Sequence, residues 1–135
     1  MASPEKIVVD ASVVMAVILN EPEKASIISA TKGSTLIAPG CLPWEIGNAF
    51  SAMLKRKLLS SDDVSSGLAV YGIIPIQESA ILLKSALHLC SRHDIYAYDA
   101  YYLDLAQRGS SPLLTLDRRM AQVATLEGIK LKKLS

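Results

Sequence analysis

Apolar positions along the chain fall into short unbroken runs separated by longer stretches of helical spacing. Ile7-Val8-Val9, Thr35-Leu36-Ile37-Ala38 and Leu113-Leu114-Thr115-Leu116 are too short for helices. Each is bounded by charges or turn formers, as buried strands are. The stretches between them read as helices over residues 11–19, 43–57, 79–92, 98–108 and 118–126. A further helix starts near Pro22 and closes at Lys32-Gly33, and another is capped by Ser60 or Ser61 with Asp62 and Asp63 in its first turn. In the long helix, Ile46, Ala49, Phe50, Met53, Leu54 and Leu58 recur at the spacing of one buried face.

Two weaker signals complete the pattern. Ile73-Ile74-Pro75-Ile76 is apolar, but Pro75 restricts it to an edge strand. Gly128 leads into a last strand near residues 129–131, and Gly109 stops the helix before Leu113. Strands alternate with helices from end to end. That order predicts an α/β fold, a parallel central sheet flanked by helices on both faces.

A chain of 135 residues suits one domain, taken here as 1–135, and half its residues are apolar. A net charge of +1 argues against a tail that coats nucleic acid. Cys41 and Cys90 have no metal-ligand spacing and read as buried thiols of a reducing compartment. MASPEK lacks an apolar signal core, and no apolar run reaches the ~18 residues that span a bilayer. The expectation is a cytoplasmic protein without a membrane partner.

The chemistry is carried by four acids. Asp10 ends the first strand run and Asp117 ends the run at 113–116, while Glu45 and Asp99 fall in first turns of helices. Each has a plain structural explanation as an N-cap or a dipole partner. A parallel sheet brings all four to its carboxyl edge, where sites form. Caps have no need to converge; metal ligands do. Carboxylates without histidine or thiolate suit Mg²⁺ or Mn²⁺. Such an ion can activate water and bind a phosphate oxygen, so phosphodiester hydrolysis is the natural reaction class.

Smaller polar residues fit around this set. Ser12 can hydrogen-bond a carboxylate, Asn48 lies three residues past Glu45, and Thr115 shares a strand side with Asp117. Asp104 is five residues from Asp99, the wrong offset for one helix face, and reads as solvent-facing or a salt-bridge partner.

The stretches VVDASVVMAVILNEPE, PWEIGNAF, YAYDAYYLDLA and PLLTLDRRM stand in one order over nearly the whole chain. In these the sequence resembles the PIN-domain nucleases, and within them the short toxin ribonucleases of VapBC toxin–antitoxin pairs. The resemblance implies a sheet with strand one at its centre and metal-binding roles for Asp10, Glu45 and Asp99, with Asp117 completing the cluster. Asn48, Ser12 and Thr115 match small polar positions near the metal. It also implies an RNA substrate, a homodimer and a cognate antitoxin whose tail plugs the groove. RNA phosphates would then meet the rim, where Arg118 and the cluster Lys55, Arg56 and Lys57 are candidates.

Two phosphatase-like alternatives fail on residues. A haloacid-dehalogenase-type site needs a second Asp where Ser12 stands, and a receiver domain needs an acidic pair at strand one. The remaining alternative is a catalytically silent PIN-fold module that binds RNA or protein.

Overall fold

The structure is a computed structural model and describes residues 3–134. Seven helices and four strands occur among them, in the order β1 (Lys6–Val9), α1 (Ala11–Ile18), α2 (Lys24–Thr31), β2 (Thr35–Ala38), α3 (Leu42–Lys55), α4 (Ser61–Ile73), β3 (Ile76–Glu78), α5 (Leu83–His93), α6 (Ala97–Gly109), β4 (Leu113–Leu114) and α7 (Arg118–Leu126). The sheet is parallel throughout, with order β3-β2-β1-β4.

Ile7, Val8 and Val9 are buried on both faces of β1, so both faces of the sheet must be covered. The helices form two packed groups, α1 with α2, α3 and α4, and α6 with α5 and α7. Close approach in the first group depends on Gly67 of α4. A Cβ there would meet Ile18 Cγ2 and Phe50 Cζ at 2.8 Å.

The chain passes from β1 to β2 to β3 in one direction and then crosses to β4 on the other side of β1. This reversal is a topological switch point, and its crevice opens at the carboxyl ends of β1 and β4. Helices antiparallel to the strands start at that same edge. The residues after β1 and β4 and the first turns of α3 and α6 therefore share one end of the molecule.

Several elements depart from the sequence pattern, each for a local reason. The edge strand begins after Pro75 rather than spanning it: α4 runs to Ile73, and Ile74, the residue before proline, is extended at ψ 118°. The following helix starts at Leu83 instead of 79, because Ser79 N–H still donates to Ala38 O and prolongs the sheet edge. β4 holds only Leu113 and Leu114, since Leu116 N–H is drawn to the Ser12 hydroxyl at 3.0 Å. The last strand reduces to one bridge, Leu131 to Leu113.

Pro22 lies ahead of α2 instead of inside it. Ser110, not Gly109, takes the left-handed conformation that ends α6. In α3, Ile46 and Phe50 are buried and Ala49 and Met53 partly so, but Leu54 and Leu58 lie out in solvent. Cys41 is buried and Cys90 only half-buried; both are free thiols. Ser60 caps α4 as expected, in a reciprocal pair with Asp63.

Candidate metal centre

Asp10 directly follows β1 and is 3% exposed. Its Oδ1 accepts from the Ser12 hydroxyl at 2.6 Å and from Val13 N–H at 3.2 Å; its Oδ2 accepts from the Thr115 hydroxyl at 2.5 Å. So it caps α1 and at the same time stands at the switch point. Ser12 bonds the carboxylate two residues before it, whereas Thr115, expected beside Asp117, turns its hydroxyl to Asp10. Thr115 also accepts from Asp117 N–H at 3.0 Å, and Ser12 accepts from Leu116 N–H. These bonds tie the β4 exit to the β1 exit.

Glu45 sits in the first turn of α3, half-buried. Its Oε2 accepts from the Tyr102 hydroxyl and from Cys41 Sγ at 3.6 Å. Neither donor was singled out from the sequence, although the spacing held the signal. Cys41 is four residues before Glu45, one helical turn, and Tyr102 is three residues after Asp99 on α6. Tyr102 is fully buried, and one face of α6 thus carries both an acid and the clamp of another.

Asp99 lies in the first turn of α6 and caps nothing; among the described residues no donor meets its carboxylate. Asp117 is exposed and accepts from Met120 N–H at 3.0 Å as the N-cap of α7.

The four acids feel one another. Burial pushes the Asp10, Glu45 and Asp99 carboxyls above their ordinary values. Neighbouring charge adds to this: Asp117 on Asp10, Asp99 and Asp10 on Glu45, and Asp117 and Asp10 on Asp99. Beside Glu45, the Cys41 thiol is pushed up to about 12, chiefly by burial. No cationic side chain offsets this field by direct contact: none of the four acids makes a salt bridge with a described residue.

The donor set fits a hard divalent cation. It consists of carboxylate oxygens, mutually repelling and partly desolvated, with Asp99 lacking any hydrogen-bond donor. A doubly charged ion would relieve that repulsion. Among the described residues, no three His, Cys, Asp or Glu side chains form a ready-made cage.

The remaining candidates are scattered. Asn48 is exposed on α3 and makes no side-chain bond to Glu45. Arg118, exposed at the start of α7, adjoins Asp117. Lys55 and Arg56 lie at the opposite end of α3, about 15 Å along the helix from Glu45 at 1.5 Å per residue. The fold does not bring them to the acids. Asp104 is not solvent-facing. It is 1% exposed, bonds the Ser85 hydroxyl at 2.5 Å, and forms its salt bridge with Arg108 at 2.8 Å.

Known proteins match this chain along most of its length. The PIN domain family profile matches residues 7–126. Ribonuclease VapC3 of Pyrobaculum aerophilum is 30% identical over 122 residues, covering 87% of this chain and 93% of the relative. Ribonuclease VapC12 of Mycobacterium tuberculosis is 28% identical over 118 residues, covering 86% and 90%. Among solved structures, Mycobacterium tuberculosis VapC20, described as a sarcin-ricin loop cleaving toxin, superposes with a TM-score of 0.68 at 12% identity, covering 96% of this chain and 99% of that one. PAE2754 from Pyrobaculum aerophilum does so with a TM-score of 0.65 at 21% identity, covering 93% and 96%. At these identities the two structures speak for the fold.

Proposed function

We propose, because the chain belongs to the PIN-domain family, that it is a metal-dependent endoribonuclease of the VapC type, the toxin of a toxin–antitoxin pair, acting as a single domain over residues 1–135. The observation that carries this reading is that four acids, at the exits of β1 and β4 and in the first turns of α3 and α6, share one end of the sheet with no salt-bridge partner among the described residues. Asp10, Glu45, Asp99 and Asp117 are the residues that would hold Mg²⁺ or Mn²⁺. When bound, the ion supplies positive charge for the phosphodiester and lowers the pKa of the attacking water.

The protein's part is positioning. Ser12, Thr115 and Val13 N–H fix both oxygens of Asp10, so its orientation survives the repulsion of its neighbours. Tyr102 and Cys41 hold one oxygen of Glu45 and leave Oε1 open toward a ligand. Asn48 serves the rim of the site. Arg118 takes a phosphate beside Asp117, while Lys55 and Arg56 can meet only RNA that runs the length of α3.

The partners follow from the same reading. RNA is the substrate, the protein works in the cytoplasm as a homodimer, and a cognate antitoxin silences it. An arginine or lysine of such a partner can compete with Mg²⁺ for the acids. No described helix is long and apolar enough to cross a membrane. The alternative of a silent binding module gains no support, since all four acids are present at the crevice.

Two measurements test the reading. RNA incubated with the protein should be cut in Mg²⁺ or Mn²⁺ and left whole in EDTA; cutting unaffected by EDTA would remove the metal from the mechanism. Expression of the chain alone should slow growth, and co-expression with the product of the adjacent gene should restore it. An active nuclease that is harmless in cells without any partner would be a housekeeping enzyme instead.

A further inference from the structure

A second cleft, of about 480 Å³, opens next to the acids, and none of the four lines it. Its walls include Trp44, Tyr98 and Tyr101, together with Cys41, Gly40 and Glu78. Trp44 is 66% exposed and Tyr98 40%, which is unusual for side chains of this size. Both are chain neighbours of proposed ligands, Trp44 of Glu45 and Tyr98 of Asp99. Cys41 joins the two sites: it lines the cleft and reaches Glu45 Oε2.

The polar content of the cleft narrows the occupant. No lysine, arginine or histidine lines it, so it is not built for phosphate. Its one charged wall is Glu78, the last residue of the edge strand β3. That carboxylate lies over Gly40, where a Cβ would stand 3.2 Å from its carboxyl carbon. It forms no hydrogen bond or ion pair with any described residue, so both oxygens remain open as acceptors.

Aromatic faces beside an open carboxylate suit a flat ring with donors along one edge. Guanine presents N1–H and N2–H₂ side by side, one for each carboxylate oxygen. Adenine and cytosine present an amino group next to an acceptor nitrogen, which would repel the second oxygen. Uracil presents one N–H flanked by carbonyls. We propose that this cleft is a guanine subsite, in which an unpaired guanine next to the scissile phosphate stacks on Trp44 and Tyr98 and donates to Glu78.

This rests on the nuclease reading for the polymer, but its test need not. Trp44 is the only tryptophan of the chain, so intrinsic tryptophan fluorescence reports on the cleft alone. Guanosine, without phosphate, should quench it, and adenosine, cytidine and uridine should do so far less. Glu78→Gln should abolish that difference without changing the emission of the free protein.

In cleavage, the parent should prefer guanine beside the cut by roughly ten- to a hundred-fold, the range for a paired-donor base contact. Glu78→Gln should bring guanine substrates down to the rate of the others. Trp44→Ala should slow guanine substrates by roughly tenfold or more through lost stacking, and Trp44→Phe should restore them. Discrimination by fluorescence in a protein inert to every RNA would uphold the cleft and retire the nuclease. Equal quenching by all four nucleosides, or a cleavage preference unchanged in Glu78→Gln, overturns the subsite. Quenching by an arginine amide but not by guanosine also overturns it, and assigns the cleft to an arginine of a protein partner.

Discussion

Asp10 and Asp104 are both buried carboxylates, 3% and 1% exposed, and they differ in what faces them. Asp104 meets a guanidinium, the Ser85 hydroxyl and, at 3.4 Å, Leu82 N–H. Glu127 is a similar case: Arg92, His93 and Gln107 converge on it, at 3.0, 2.5 and 3.1 Å, and hold its carboxyl down at about 2. Asp10 meets only neutral donors, and burial, with the charge of Asp117 added, pushes its carboxyl up in spite of them. Where charge is matched, the group ties helices together: α6 to α5 through Asp104, and α7 to α5 and α6 through Glu127. Where like charges are gathered and left unmatched, the fold carries a cost that a ligand can relieve, as functional sites do.

The widest gap between the two regions should appear in activity. Asp10→Asn, Glu45→Gln and Asp99→Asn should each lower metal-dependent RNA cleavage by several orders of magnitude while circular dichroism stays that of the parent. Their effects should not add, because each removes part of one ion's shell. Near-normal turnover by folded Asp10→Asn protein would remove the acids from the chemistry.

Stability should respond the other way round. Arg108→Met strands Asp104 in the core and should cost about 3 kcal/mol in urea unfolding, the low end for a broken buried pair, since Arg108 keeps 32% of its side chain in solvent. A loss indistinguishable from zero would mean that Ser85 and Leu82 suffice.

A subtler test reaches the site through its support. Tyr102→Phe removes the hydroxyl that holds Glu45 and should raise the Mg²⁺ concentration needed for half-maximal rate by roughly 10–100-fold, the usual effect of losing a ligand's own partner. If only stability changed and the metal dependence did not, Tyr102 would be packing alone.

The matched region also sets an acid limb. Glu127's folded pKa of about 2 lies below its ordinary 4.5. Its contribution is therefore complete above about pH 4.5 and disappears as pH falls toward 2. Glu127→Gln should flatten that part of the stability profile. An unchanged acid limb would place the loss in other carboxylates.

Asp99→Ala should give the smallest shift. Since Asp99 caps nothing, melting in EDTA should be unchanged or slightly raised, through relief of repulsion. Added Mg²⁺ should stabilise the parent more than the variant. A clear loss of stability in EDTA would make Asp99 a structural acid after all.

Much of this was legible in the residues themselves. The runs at Ile7, Leu36 and Leu113 are dictated by burial on both faces of a parallel sheet, a local and repetitive demand. The four acids stood out because Asp10 and Asp117 end apolar strand runs and Glu45 and Asp99 open helices, and a parallel sheet gathers strand ends and helix starts at one edge. Ser12 and Thr115 were legible because strand alternation and short chain distance keep them near Asp10 and Asp117. Tyr102 was not, because an apolar face of α6 hides a hydroxyl that has a use only once α3 lies beside it.

Which charges are matched was decided by tertiary structure. Arg108, one turn beyond Asp104, marks that acid as paired within its own helix; that Ser85 of α5 also meets it, and that no donor among the described residues meets Asp99, is set by packing. The same holds for Lys55 and Arg56, grouped in sequence with a helix that begins at the site and carried by its length to the far edge. Periodicity is written residue by residue, so sequence determines elements, faces and the strand ends where chemistry gathers. Electrostatic pairing depends on distances between groups far apart in the chain, and only packing sets those distances.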